Sequence, residues 1–236
     1  MQSGFFFLIV LLITSGIHAQ NLDGAWEATT ISADGIHIRN VLIVTDGYQV
    51  ITRYDAQSGK FFSTNGGSLS MVGMTVTEVV EFDSLDPERV GSKVTFDIYL
   101  GDSEMGIVGD DIIWTRIDDG TPGMLQGAWL MSGRYRNGEL SKRDTDRPRK
   151  TMKILSGSRF QWIAYNTETK QFMGTGGGSY TTIDGQYIES IEFFSRDDTR
   201  VGASLKFDFD IIDAHWHHKG FSSKGDPLHE IWSARE

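Results

Sequence analysis

YDAQSGKFFSTNGGSLSMVGMTVTEVVEFDSLDPERVGSKVTFD, residues 54–97, recurs as YNTETKQFMGTGGGSYTTIDGQYIESIEFFSRDDTRVGASLKFD, residues 165–208. The two stretches align without a gap at a constant offset of 111, position 54 on 165 and position 97 on 208. Matched positions include Tyr54/Tyr165, Phe61/Phe172, Gly66-Gly67-Ser68/Gly177-Gly178-Ser179, Glu78/Glu189, Glu81-Phe82/Glu192-Phe193 and Arg89-Val90-Gly91/Arg200-Val201-Gly202. Each copy opens on Gly-Ala-Trp, at Gly24 and at Gly127, and closes on Ile-Trp, at Ile113 and at Ile231. Solenoid units repeat every ~20–50 residues. A unit of about 100 residues is instead the size of a small domain with its own core. Two tandem copies of one domain follow, residues 20–117 and 124–236, joined by a polar, turn-rich linker at 118–123 and expected to be separable.

Within each copy, apolar and polar residues alternate with period two, and turn residues interrupt them closely, so the class is all-β. Strands are expected in copy one at 24–31, 41–45, 48–54, 60–63, 67–71, 75–82, 93–100 and 107–116. In copy two they are expected at 127–134, 151–155, 159–165, 171–174, 179–183, 187–195, 204–212 and 215–221, with a tail strand at 229–233. Asp46-Gly47 reads as a hairpin turn. About eight short strands joined by hairpins suit an up-and-down antiparallel β-barrel, in which closure removes the exposed edges. Eight strands leave an interior either filled by side chains or able to hold one small ligand.

The ends and the composition narrow the setting. Residues 5–14, FFFLIVLLIT, are followed by small residues up to Ala19. The run is too short to span a bilayer, which takes about 20 apolar residues, and residues 1–19 read as a cleaved signal peptide. A secreted or periplasmic protein with no membrane span after cleavage is therefore expected. There is no cysteine, so no disulfide holds either domain. The net charge of −10 argues against nucleic acid, which requires a basic surface. The one basic stretch, residues 142–150, is interrupted by acids; it reads as a solvated loop, with an anion-facing lid as the sharper alternative. A monomer is expected.

Gly-x-Trp on the first strand, the run from Gly178 through Tyr180 to Asp184-Gly185, then Arg200-Val201-Gly202 and Glu230-Ile231-Trp232 together resemble secreted bacterial proteins with tandem lipocalin-like domains of the calycin superfamily. The resemblance covers both copies and is clearer in the second. It implies a lipocalin-like barrel with a cup for a small, mostly apolar ligand. It also implies a basic residue late in the barrel, packed on the first-strand Trp; Arg116 and Arg235 stand near that place. The copies are shorter than full lipocalins and lack their disulfide.

Several residues could carry chemistry. Glu189 shares a strand face with Ile191 and Phe193, and Glu78 shares one with Val80 and Phe82. A carboxylate on an inward face is desolvated and its pKa raised, unless a cation such as Arg159 or Lys206 pairs with it. Asp213-Ala214-His215-Trp216-His217-His218 puts His215 and His217 on one face and Trp216 and His218 on the other. His215 and His217, completed by His229 or Glu230, form a loose candidate for a divalent metal, although the spacing matches no known signature. Phe160 and Trp162 form an aromatic stripe that is either core or cavity wall. Gly176-Gly177-Gly178 precedes a strand, not a helix, and so reads as a bulge or turn and not a phosphate loop. No Ser-His-Asp spacing or nucleophile elbow is present.

The leading reading is a non-catalytic binding protein without a cofactor, taking a small apolar or aromatic ligand in the second barrel. The ligand-binding residues would be Phe160, Trp162, Tyr165, Tyr180, Glu189, Trp216 and His217. One alternative is an enzyme using Glu189 with His217 or Tyr165 as acid and base. The other is a structural or interaction protein whose barrels are packed solid.

Overall fold

The structure is a computed structural model and describes residues 21–120, 123–222 and 225–235. The expected signal segment lies outside the described residues. The first barrel is β1 (Gly24–Ile31), β2 (His37–Thr45), β3 (Tyr48–Asp55), β4 (Phe61–Val72), β5 (Thr75–Asp83), β6 (Lys93–Leu100), β7 (Glu104–Ile107) and β8 (Ile113–Asp118). Each strand pairs antiparallel with the next, and β8 closes onto β1. The second half is β9 (Gly127–Arg136), β10 (Glu139–Lys142), β11 (Arg149–Leu155), β12 (Arg159–Asn166), β13 (Gln171–Ile183), β14 (Gln186–Phe194), β15 (Ser204–Ile212), β16 (His215–Phe221) and β17 (Pro227–Ala234). Here β17 closes onto β9, while β10 pairs with β9 alone and stands outside the ring of eight. The architecture is therefore two closed eight-stranded antiparallel barrels in tandem. Among the described residues no helix is long and apolar enough to cross a membrane.

Local chemistry explains most of the strand ends. Asp46 and Gly47 both take positive φ, 52° and 73°, as a two-residue hairpin turn between β2 and β3 requires. The expected strands at 60–63 and 67–71 are one continuous strand, β4, and those at 171–174 and 179–183 are one strand, β13. The expected strand at 107–116 is instead two, β7 and β8. Asp118 belongs to β8 and is not free linker. Its carboxylate accepts from the Ala25 amide at 3.0 Å and from the Ser158 amide and hydroxyl at 2.9 and 2.7 Å, so it ties the two barrels together.

The repeated glycines make a bulge, not a turn. Gly66 pairs with Phe82 and Gly67 with Val80, so Glu81 is the extra residue. Gly177 pairs with Phe193 and Gly178 with Ile191, so Glu192 is extra in the same way. An inserted residue breaks the alternation of faces. Glu78 and Glu189 therefore point into their barrels, whereas Phe82 and Phe193, four residues on, lie in a layer between the barrels. Only glycine fits opposite the bulge. A Cβ on Gly67 would stand 1.9 Å from the Val79 carbonyl oxygen, and one on Gly178 2.1 Å from that of Ser190.

That middle layer joins the outer faces of β2–β5 to those of β9 and β11–β14. Tyr54 stacks on Phe193 with ring centroids 5.0 Å apart, Tyr165 meets Phe82 at 4.9 Å, and Phe61 faces Phe172 at 6.1 Å. The bulge carboxylates cross the layer. The Tyr54 hydroxyl donates to Glu192 at 2.8 Å and the Tyr165 hydroxyl donates to Glu81 at 2.6 Å. Arg39 reinforces the first contact at 2.9 Å and Arg235 the second at 2.7 Å. Exchanging the copies by the 111-residue offset turns each Tyr–Glu contact into the other, so the layer has approximate two-fold symmetry. Each barrel keeps an interior cluster of its own, but a third cluster is built by both.

Candidate functional site

Each barrel encloses its own cavity, and the bulges set which residues face it. In the first barrel the cavity is about 320 Å³, walled by Leu42, Ile51, Leu69, Val76, Phe96 and Trp114. Its buried polar pair is Gln49 and Glu78, with the amide donating to the carboxyl at 2.5 Å. Burial pushes the Glu78 carboxyl above its ordinary value, against the pull of Gln49 and Arg89. A basic residue late in the barrel packs on the first-strand Trp, as the resemblance implied: the Arg116 guanidinium lies 3.9 Å from the Trp26 ring centroid.

In the second barrel the cavity is about 270 Å³ and carries charge. Met131, Trp162, Ile191, Phe194, Leu205 and Leu228 form its apolar wall, and Lys153, Glu189, His218 and Glu230 its polar one. Glu189 occupies the place of Glu78 but meets a lysine: Lys153 Nζ lies 2.7 Å from its carboxylate, and the two side chains are 5% and 6% exposed. Four rings surround the ammonium, Tyr187 and Trp216 at 4.9 Å, Trp232 at 5.4 Å and Phe207 at 5.9 Å, within cation–π range. Burial, then the charge of Lys153, pushes the His218 imidazole down to about 4, so it is neutral at pH 7. Burial pushes Glu230 up, but the Lys153 and Arg134 cations beside it help hold the carboxyl below its ordinary value. Arg134 donates to Glu230 at 3.0 Å, while His218 Nδ1, at 3.6 Å, is beyond hydrogen-bond reach of it. Among the described residues the Tyr187 hydroxyl, the Trp216 and Trp232 indole nitrogens and both His218 nitrogens are buried with no hydrogen-bond partner. Groups of this kind are rare in protein interiors, where most buried polar atoms are paired with protein or with water.

The residues expected from sequence divide three ways. Trp162 and Glu189 line the second cavity. The cation beside Glu189 is Lys153, where Arg159 or Lys206 was expected; Arg159 pairs with Glu192 instead. Phe160, Tyr180 and Trp216 are buried in the interior cluster and do not reach the cavity wall; the Tyr180 hydroxyl donates to the Ser156 carbonyl at 2.5 Å. Tyr165 is a correction: it faces the other barrel and donates to Glu81, because the alternation of β12 that turns Phe160 and Trp162 inward turns Ile163 and Tyr165 outward. His217 is a second correction. Strand β16 puts Trp216 and His218 inside, so His217 faces out, and the Glu189–His217 and Glu189–Tyr165 acid–base pairs do not form. His217 Nδ1 lies 3.2 Å from His229 Nε2, and His229 stacks on Tyr135. His215 turns to the Asp213 carbonyl at 2.7 Å. Among the described residues no group of three or more His, Cys, Asp or Glu is placed to share a metal. Arg235 lies 4.1 Å from the Tyr48 ring centroid and pairs with Glu81, so it does not cover Trp129.

Sequence reasoning missed Lys153; it offered Glu230 to a metal and gave His218 no role, where the structure puts both in the cavity wall. The signal for Lys153 was a lone cation in the apolar run Met152-Lys153-Ile154. For His218 it was a face shared with a tryptophan. The comparisons with known proteins add one finding to this geometry. Residues 124–235, which cover the second barrel from ahead of β9 to the end of β17, match a family described as a domain of unknown function (DUF4488). No curated protein matches the chain.

Proposed function

We propose that the protein is an exported, non-catalytic carrier of small, mostly apolar molecules, built on two lipocalin-like barrels of the calycin type. The observation that carries this reading is that each barrel encloses a largely apolar-walled cavity of its own, about 320 and 270 Å³, with a buried carboxylate, Glu78 or Glu189, at the same place of the repeat in both. Concave, largely apolar sites with few polar groups are how proteins hold small ligands. The stack of Arg116 on Trp26 supports the lipocalin-like assignment of the first barrel. Export rests on the apolar segment at residues 5–14. The structural-protein alternative has less support, because neither interior is packed solid.

The test is titration with the neutral apolar dye N-phenyl-1-naphthylamine, alongside native mass spectrometry for a co-purified ligand. Leu69→Trp fills the first cavity and Leu228→Trp the second. Dye fluorescence rises in the parent protein, and each variant removes one class of sites. A parent protein that leaves the dye dark, or binding unchanged by both fillings, overturns the reading.

A further inference from the structure

The connection between β9 and β11 is where the copies differ most. In the first barrel β1 runs into β2 through residues 32–36, whereas in the second the extra strand β10 and a loop intervene. That insertion helps form a second hollow of about 500 Å³ beside the barrel's cavity, lined by Arg134, Arg136, Lys142, Arg143, Arg147 and Arg149, with Asp144 its one acid. Such a concentration of cations stands out on a chain of net charge −10. Arg134 is engaged by Glu230 and Arg147 by Asp144, but among the described residues Arg136, Lys142 and Arg149 have no carboxylate partner. Like charges held together without counter-charge attract an anion. The hollow also adjoins the ligand cavity: Met131 and Thr151 line both. At that boundary the Arg143 guanidinium donates to the Thr151 hydroxyl at 3.2 Å.

We propose that the second barrel takes an amphipathic anion, whose phosphate, sulfate or carboxylate head sits in the arginine-lined hollow and whose apolar body enters the adjoining cavity across Met131 and Thr151. This rests on the carrier reading and names the ligand class for one of its two sites. Arginine suits the head because its planar fork pairs with two oxygens at once. The lysine and glutamate inside the cavity already neutralise one another, so the charge available to a ligand lies at the rim. The first barrel has no equivalent insertion and takes neutral molecules.

The test uses decyl phosphate, decanol and inorganic phosphate, with binding read from methyl NMR signals. Leu205 and Leu228 report on the second cavity, Leu42 and Leu69 on the first. In the second cavity decyl phosphate should bind about ten-fold or more tighter than decanol, the effect of one or two charge-assisted hydrogen bonds. Arg136 and Arg149 are exposed, so Arg136→Gln with Arg149→Gln leaves the fold intact. The double variant should bring decyl phosphate down to the affinity of decanol and leave decanol unchanged. Equal affinity for the two amphiphiles, or indifference to the double variant, overturns the proposal. Inorganic phosphate binding as tightly as decyl phosphate also overturns it, by showing a free-anion site that needs no apolar body. If neither amphiphile shifts the methyl signals of either cavity, the carrier reading itself has failed.

Discussion

Glu78 and Glu189 are the same residue of the repeat, and their partners make replacing one far more damaging than replacing the other. Glu189→Gln leaves the Lys153 ammonium buried without its counter-charge, at a position 5% exposed. Breaking a buried ion pair from one side costs about 3–5 kcal/mol. The surrounding rings attract the ammonium by about 0.5–2 kcal/mol, but they do so in the parent protein as well, so they do not offset the loss. The glutamine carbonyl still accepts one hydrogen bond from the ammonium. The expected destabilisation is therefore about 3 kcal/mol at pH 7. Glu78→Gln replaces a carboxyl whose partner is the Gln49 amide, and it keeps an acceptor for that amide. Its expected effect is below about 1 kcal/mol. Urea denaturation followed by methyl signals specific to each barrel reads both values. Lys153→Met combined with Glu189→Leu should recover most of the loss, because an apolar pair of similar volume replaces a buried ion pair at little cost. Equal effects of the two Gln substitutions, or a double variant worse than Glu189→Gln alone, would refute the reasoning.

Glu78→Gln should also change the acid profile. The folded pKa of Glu78 is raised, so its contribution is complete below the ordinary value of 4.5 and lost as pH rises through the folded value; the variant should lack that decline in a pH series of urea midpoints. His218 acts in the opposite sense. Its folded pKa of about 4 lies below 6.5, so stability is complete above 6.5 and lost as pH falls towards 4, by about 3 kcal/mol, and His218→Gln should flatten that slope. Tyr54→Phe and Tyr165→Phe each remove a hydrogen bond to a carboxylate and should each destabilise by about 1.5–3 kcal/mol, and by similar amounts; thermal melts that separate them widely would contradict the two-fold layer. Gly178→Ala forces a Cβ against the Ser190 carbonyl and should destabilise by about 3 kcal/mol or more, read as a lowered urea midpoint.

The repeat made the number of barrels legible, and the period-two pattern made their class legible. In the first barrel the expected count of eight is reached through two opposite errors, and in the second β10 is not anticipated. The Gly-rich segments were read as breaks, splitting β4, and β7 and β8 were read as one strand. A bulge and a turn both use glycine, and only the partner strand tells them apart. The candidate site was less legible for the same reason. Alternation puts Glu78 and Glu189 on a face with apolar neighbours without saying which way that face points, and the extra residues Glu81 and Glu192 then reverse the faces, a reversal of which periodicity carries no sign. Tyr165 was assigned to the ligand when it serves the layer between the barrels. Tyr54/Tyr165, Glu81/Glu192 and Phe82/Phe193 are identical in the two copies and hold the barrels to each other, while Glu78/Glu189 and Phe96/Phe207 are identical inside them. Those that differ, Leu42/Lys153 and Gln49/Phe160, lie inside the barrels and shape their interiors.

An interface whose two halves exchange under copy-swapping is what identical chains make across a dyad. Here it is made within one polypeptide, with β8 leading to β9 through residues 119–126. Covalent linkage fixes the stoichiometry at one to one and replaces dependence on protein concentration with an intramolecular encounter. It also removes the obligation, binding on any homodimer, that both pockets share one sequence. Duplication can then hold the joining face constant while selection acts on each interior separately. Such a history accounts for a Gln49–Glu78 pair in one barrel and a Lys153–Glu189 ion pair at the corresponding place in the other.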